Sequence, residues 1–198
     1  MSIILASKSP RRRELLSLLG IDFTVMTEDI DETINQSVPV EEEIKRLSYE
    51  KAKAVKDAVS DDSIIIAADT VVVLGNQVFG KPKDDHQAKE MLRTLSGKTH
   101  KVITGVTVMK KNKSDTRAAV TEVTFRNLND KEIQEYINTG DPFDKAGAYA
   151  LQGISTIFVS GISGDHFNVY GLPVSMLASM LRGFGVKILG ESSEDKNA

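Results

Sequence analysis

One carboxylate is conspicuous for where it stands. Asp69 interrupts the run Ile64-Ile65-Ile66-Ala67-Ala68-Asp69-Thr70-Val71-Val72-Val73-Leu74, whose branched residues predict a buried strand. A carboxylate there must shed most of its hydration, which is costly unless a metal, a cation or strong donors replace the water. Buried carboxylates cluster at functional sites, so Asp69 is the leading candidate for proton transfer or metal binding. A structural aspartate held by backbone N–H groups is the plain alternative.

Cations are available to pair with it. Lys8, Arg11, Arg12 and Arg13 crowd the loop and first turn of a helix that follows the first strand. The positive end of the helix dipole lies there, so the arginines are badly placed unless an anion such as phosphate joins them. A solvated basic surface is the other reading. Lys51 falls on the apolar stripe of a second helix, with Ile44, Leu47, Ala54, Val55 and Ala58. Its ammonium either snorkels to the edge or reaches an internal phosphate or carboxylate. Gly75 to Lys81 imitates the start of a phosphate loop, but Pro82 stands where a Ser or Thr would hold magnesium. Lys81 therefore contacts phosphate, if at all, by another architecture.

Other signals are weaker. Asp144 and Lys145 sit beside Gly147 and Gly153, which allow close approach to a ligand or simply make a tight turn. The acidic stretch Asp29-Ile30-Asp31-Glu32 offers Glu32, with Asp31 as competitor, as a second carboxylate for a hard cation. His86, His100 and His166 lack metal-pair spacing, so surface or structural roles are expected. No Ser-His-acid arrangement is readable, and Gly161-Ile162-Ser163-Gly164 lacks the spacing of a nucleophile elbow.

The elements that must position these residues alternate between strand and helix, so the fold class is α/β or mixed α+β. A strand at Ile3 to Ala6 leads to a helix from Pro10 through Leu19, with Ser9 as N-cap and Gly20 as stop. The spacing predicts helices from Val40 to Val59, after Asp84-Asp85, from Asn129 to near Gly140, and from Pro173 to Leu181. The Asp69 strand turns at Gly75-Asn76 into Val78-Phe79, and Lys101–Met109 pairs with Ala118–Phe125. A further strand is expected around Thr156 to Val159. One domain over residues 1–190 is expected, followed by a disordered polar tail at 191–198.

Composition limits the function. The 198 residues suffice for a normal core, and the formal net charge is −3, so any polyanion site must be local. Aromatic residues make up only 6%, which leaves little for stacking nucleic-acid bases. There are no cysteines, which excludes disulfides, thiol catalysis and cysteine zinc sites. No apolar stretch approaches a membrane span, so a cytoplasmic protein is expected.

The irregular positions coincide with motifs of a known family. Ala6-Ser7-Lys8-Ser9-Pro10-Arg11-Arg12, Ala68-Asp69-Thr70, Gly80-Lys81-Pro82, Leu95-Ser96-Gly97-Lys98-Thr99-His100, and Asp144-Lys145-Ala146-Gly147-Ala148-Tyr149 with Gln152-Gly153 occur in order along the chain. Together they resemble the Maf family of nucleotide pyrophosphatases, from Leu5 to about Leu181. The resemblance implies an elongated, two-lobed mixed sheet with flanking helices and a central cleft, related to inosine triphosphate pyrophosphatase. It implies hydrolysis of a nucleoside triphosphate to the monophosphate and pyrophosphate with a divalent cation: magnesium first, manganese or cobalt as alternatives. The Asp-Lys-Ala-Gly-Ala-Tyr and Gln-Gly strings resemble the branch acting on dTTP and UTP rather than on 7-methyl-GTP. By the resemblance Asp69 is the proton acceptor, and Arg11, Thr70 and Gln152 are specificity positions. A link to septum formation also comes with the family.

On this reading Ser7, Arg11, Arg12, Lys51 and Lys81 are candidates for the phosphates, and Glu32 and Asp69 for the metal. Asp144 and Lys145 remain further site candidates. Asp69 could take the water's proton or hold the metal. The expected partner is a nucleoside triphosphate, with no membrane and no sequence-specific nucleic acid; a homodimer is compatible with so small an enzyme. A non-catalytic nucleotide sensor is the rival from another class.

Overall fold

The computed structural model describes residues 2–35 and 37–189, so the tail expected at 191–198 lies outside the described residues. The first half of the chain runs β1 (Ile3–Leu5), α1 (Pro10–Ser17), β2 (Thr24–Val25), α2 (Val40–Lys56), β3 (Ile64–Leu74), β4 (Gln77–Phe79) and α3 (Asp85–Leu95). Then come β5 (Thr99–Lys110), β6 (Lys113–Phe125) and α4 (Asp130–Asn138). Short 3₁₀ turns at Asp141–Asp144, Ala146–Ala148 and Ile154–Phe158 lead to β7 (Val159–Ser163), α5 (His166–Val169) and α6 (Val174–Arg182). Among the described residues no helix is long and apolar enough to cross a membrane.

The helix starts follow from side-chain caps. Ser9 accepts from the Arg12 N–H, with Pro10 at the first helical position. Asp84 caps α3 in the same way. Asn129 and Glu132 form a reciprocal capping box at α4, Asn taking the place of the usual Ser or Thr. On α2 the buried residues are Glu43, Ile44, Leu47, Ser48, Ala52 and Val55. Ala58 is not among them, because the helix ends at Lys56 and not near Val59, and Ala58 is exposed in the turn beyond.

The seven strands form one mixed sheet, six of them in the order β2-β1-β3-β5-β6-β7 and β4 attached to β3 off that path. β3 is its spine. Along one edge β5 pairs antiparallel with every residue from Ile65 to Val73. The other edge is shared. β1 runs parallel to Ile64–Ile66, and β4 runs antiparallel to Val72–Leu74. Between them, Ala67 to Val71 have no strand alongside on that edge among the described residues.

The apolar core divides at the same level. On one face of the sheet Ile64, Ile66 and Ala68 belong to a cluster with α1 and α6, while Val72 belongs to a second cluster with α3 and α4. On the other face Ile65 and Ala67 pack with Ala52 and Val55 of α2, while Val71 and Val73 pack with Ile44 and Leu47. Side chains alternate between faces along a strand. Asp69 therefore falls in the gap between clusters on the α2 face, and Thr70 in the gap on the α1 face.

Gly105 explains how α2 comes so close. It lies opposite Asp69 in the β3–β5 register, and a β-carbon there would stand 2.4 Å from the Ile44 carbonyl oxygen. Only glycine admits the helix backbone at that distance.

The strand expected at Thr156 to Val159 is instead a 3₁₀ turn over Ile154–Phe158, and β7 begins at Val159. Local side chains hold the turn. Ser155 Oγ donates to the Ala150 carbonyl and accepts from the Ala150 N–H, and Thr156 Oγ1 donates to the Leu151 carbonyl. Such bonds offer the backbone an alternative to a strand ladder. They also turn Phe158 into the core beside Phe125 and Tyr136.

Candidate active site

Where the sheet edge opens and the cores part, a cleft of about 750 Å³ forms. It takes in the Ser7–Arg12 loop, Glu28, Asp29 and Glu32, Lys51, Asp69–Val72, Gly80, Lys81 and Lys83, Asp144–Ala146, Tyr149 and Ala150, and residues 169–171. Ser7, Arg11, Arg12, Glu32, Lys51, Asp69, Thr70, Lys81, Asp144 and Lys145 are all brought together there. Asp31 is not in the lining, which favours Glu32 as the second carboxylate.

Lys51 is the centre of charge on the α2 face. Its ammonium donates to Asp69 Oδ1 at 2.5 Å and lies 2.8 Å from Glu32 Oε1. The side chains of Lys51 and Asp69 are 15% and 14% exposed, whereas that of Glu32 is 61% exposed. Of the two readings of Lys51, the internal carboxylate partner is the one found. The reach is natural for a helical residue, because its Cβ leans toward the helix N-terminus, back over Asp69. Burial opposes ionisation of Glu32. The Lys51 bond and the charges of Lys51, Lys81 and Arg12 together outweigh it, so the carboxyl stays below its usual range.

Arg12 occupies the opposite face. Its Nε donates to the Gly171 carbonyl at 2.8 Å, Nη1 to Ser7 Oγ and the Ala68 carbonyl, and Nη2 to Thr70 Oγ1. Desolvation lowers its pKa from the ordinary arginine value, and the nearby Asp69 charge opposes that. Thr70 Oγ1 in turn lies 3.0 Å from Thr104 Oγ1, and Thr104 donates to the Asn168 carbonyl.

Two further contacts tie α1 to the turns after α4. Arg11 holds Asp144 with both Nη atoms, one on the carboxylate at 2.7 Å and one on the main-chain carbonyl at 3.2 Å. Asp144 is also bonded by Lys145, which reaches Asp141 as well. Burial pushes the Asp144 carboxyl up, but Lys145 and Arg11 together hold it below the usual range. Gln152 is exposed, lies outside the cleft lining and donates to Glu14 at 3.1 Å. Gly147 makes a tight turn, with φ +67°, and a β-carbon there would meet the Val72 side chain at 2.9 Å. Its close approach is thus to the core.

Sequence reasoning passed over several contributors. Gly105 carried a signal, an isolated glycine in the branched run Val102-Ile103-Thr104-Gly105-Val106, which marks close backbone approach. Glu14 and the Gly171 carbonyl carried none. His100 is structural, as expected of its spacing: buried in the second cluster, it meets the Tyr149 hydroxyl through Nε2 at 2.7 Å. Burial lowers its pKa to about 4, with weak opposition from the Lys98 backbone, so the ring is neutral near pH 7.

Comparison with known proteins bears on this arrangement. The family model described as "Maf-like protein" matches residues 2–184. A dTTP/UTP pyrophosphatase of Alkaliphilus oremlandii is 50% identical over 190 residues, covering 94% of this chain and 98% of that protein. One from Thermosipho africanus is 50% identical over 181 residues, covering 91% and 92%. Among solved structures, the Ham1 protein of Staphylococcus aureus superposes with a TM-score of 0.53 at 14% identity, over 93% of this chain and all of that one. That likeness concerns the fold alone.

Proposed function

The chain belongs to the Maf-like family, and from that premise we propose that it hydrolyses dTTP and UTP to the nucleoside monophosphate and pyrophosphate. The observation that carries the chemistry is Asp69. It is a nearly buried carboxylate, ion-paired to Lys51, in a cleft that also holds Arg11, Lys81 and Lys145.

In the reaction a water oxygen attacks the α-phosphorus. The bond from that phosphorus to the bridging oxygen breaks, and pyrophosphate leaves with the electron pair. Asp69 accepts the water's proton. Negative charge builds on the phosphates as this happens, and preset cations stabilise it without reorganising. Lys81, Lys51 and Arg11 are assigned to that work, with Ser7 as a hydroxyl donor at the loop.

A divalent cation suits the donor set. Two carboxylates, Glu32 and Asp69, converge on one ammonium, so the space between them favours a positive charge. Among the described residues no three acidic or histidine side chains cluster as a metal site. Two protein carboxylates completed by water and phosphate oxygens are the usual holding for magnesium. When bound, such an ion would neutralise phosphate charge and acidify its water. The Lys51 ammonium would then be available to the phosphates.

For the base, Thr70 and Arg11 line the cleft, and the Gln152 amide can both donate and accept once it leaves Glu14. Paired polar groups reject a base that leaves them unmatched.

The test is a substrate panel with magnesium, separating pyrophosphate from orthophosphate. Pyrophosphate from dTTP and UTP, with little from 7-methyl-GTP or ATP, is the expected result. Orthophosphate as the product would move the attack to the γ-phosphorus and overturn the mechanism. Saturable binding without turnover under any divalent metal would favour the sensor.

A further inference from the structure

Arg12 was a candidate for the phosphates, but its surroundings suit a different task. A guanidinium has five N–H donors. Four of them are engaged by the protein: one by the Gly171 carbonyl, two by Ser7 Oγ and the Ala68 carbonyl, and one by Thr70 Oγ1. A phosphate clamp needs two parallel donors aimed outward. Here one donor is left.

The acceptors explain why an arginine stands there. β1 stops at the level of Ile66 and β4 starts at Val72, so the intervening edge of β3 has no strand to bond it. Carbonyls on an edge buried in that way need donors from elsewhere. Arg12 supplies one to Ala68, whose carbonyl belongs to the peptide that leads into Asp69. The planar fork simultaneously reaches α1's own loop at Ser7 and the α5–α6 connection at Gly171. It therefore ties two separate segments to the two β3 residues at the bottom of the cleft.

The next hydroxyls have a forced direction. Thr104 spends its hydrogen on the Asn168 carbonyl, which can only accept. Thr104 Oγ1 therefore accepts from Thr70, and Thr70 accepts from Arg12. The order Arg12 to Thr70 to Thr104 to Asn168 is fixed by the arginine, which has no acceptor to offer. Thr104 is fully buried and outside the cleft lining, so this chain anchors Thr70 to β5 and α5 away from any ligand.

We propose that Arg12 is a positioning residue: it takes the place of the missing strand beside Ala67–Val71 and sets the Asp69 backbone and the Thr70 hydroxyl for the reaction, leaving the phosphates to other cations. The inference rests on the pyrophosphatase reading for its kinetic consequence, not for its structural one.

Two variants and two kinds of measurement test it. Arg12→Lys keeps the charge but cannot bridge four acceptors. The expected result is a fall in kcat of about a hundredfold, with KM for dTTP and the dissociation constant of α,β-imido-dTTP within about threefold of the parent. Thr104→Val breaks the chain one hydroxyl beyond any substrate contact, and the same pattern is expected at about fivefold. Hydrogen exchange at the amides of residues 67–71 should accelerate by about tenfold in folded Arg12→Lys protein, whether or not the enzyme turns over. A near-parental kcat, unchanged exchange, or a loss confined to KM and analogue binding would overturn the proposal, the last pointing to a phosphate ligand. Should Arg12→Lys fail to fold, Thr104→Val decides, and an unchanged kcat there refutes the chain. If the parent protein releases no pyrophosphate from dTTP, the reaction assignment fails, and exchange at residues 67–71 still judges the role of Arg12.

Discussion

Asp69 and Thr70 are neighbours on β3, yet they live under opposite conditions. On the α2 face Asp69 meets a single ammonium, which it shares with the half-solvated Glu32. Charges are concentrated there, and each can exchange its partner for a ligand. On the α1 face Thr70 belongs to a densely bonded array: Arg12 above, Thr104 below, main-chain carbonyls at both ends. Nothing in that array can leave without stranding a buried polar group, which costs about 1–3 kcal/mol. The difference teaches a division of labour. The sparsely bonded face can react, and the densely bonded face keeps it in place.

The largest break of this contrast is Asp69→Asn. It removes the charge of the proposed base without altering shape, so kcat should fall about a thousandfold while nucleotide binding and thermal stability stay near the parent. Steady-state kinetics beside a melting curve decides it. Turnover of dTTP at the parental rate would mean that Asp69 is neither base nor essential metal anchor.

Gly105→Ala attacks the same face from the helix side. The added methyl would collide with the Ile44 carbonyl, so α2 must lift and carry Lys51 away from Asp69. Loss of stability of about 1–3 kcal/mol is expected from the overpacking, with kcat down about tenfold or more. Unchanged kcat together with lowered stability would show that the spacing of Lys51 and Asp69 is not critical.

Acid should separate the faces with the smallest perturbation. His100 lies on the Thr70 side of β5, buried and neutral, with its pKa lowered to about 4 from 6.5. The unfolded chain binds that proton more readily, so stability falls as pH drops from 6.5 toward 4, by about 2 kcal/mol near pH 5. Glu32 behaves differently. Its carboxyl lies below its ordinary 4.5, so the stability from its pairing with Lys51 is present above that ordinary value and is lost only as pH falls below it. Chemical denaturation at several pH values should show the loss, and His100→Gln should flatten it. A parental slope in His100→Gln would assign the acid sensitivity elsewhere.

Much of this was legible in the residues. An aspartate among isoleucines and valines is a local anomaly, visible within eleven positions. So is a lysine at the right phase of an apolar stripe, or a Ser-Pro pair at a helix start. The structure brings the expected cleft residues together because those anomalies share a cause: each is a polar group that the fold must satisfy internally. What stayed hidden depends on distant partners. Nothing near Arg12 announces the Ala68 and Gly171 carbonyls, 56 and 159 residues away. Gln152 looks like a pocket residue by its motif, yet here it stands at the rim with Glu14. The segment around Thr156 to Val159 reads as a strand by its branched residues, and the Ser155 and Thr156 hydroxyl bonds turn it aside.

β3 passes through all four apolar clusters and is paired with β5 along nine successive residues. Such a strand acts as a rigid beam common to both sides of the cleft. The two sides cannot swing apart about it as separate bodies would about a hinge. Compliance must come from the pieces laid across the opening, the Arg11–Asp144 and Glu14–Gln152 ties, which are few and lie at the surface. Substitutions at those ties would therefore change the opening of the cleft, while the beam and its carboxylate stay as they are.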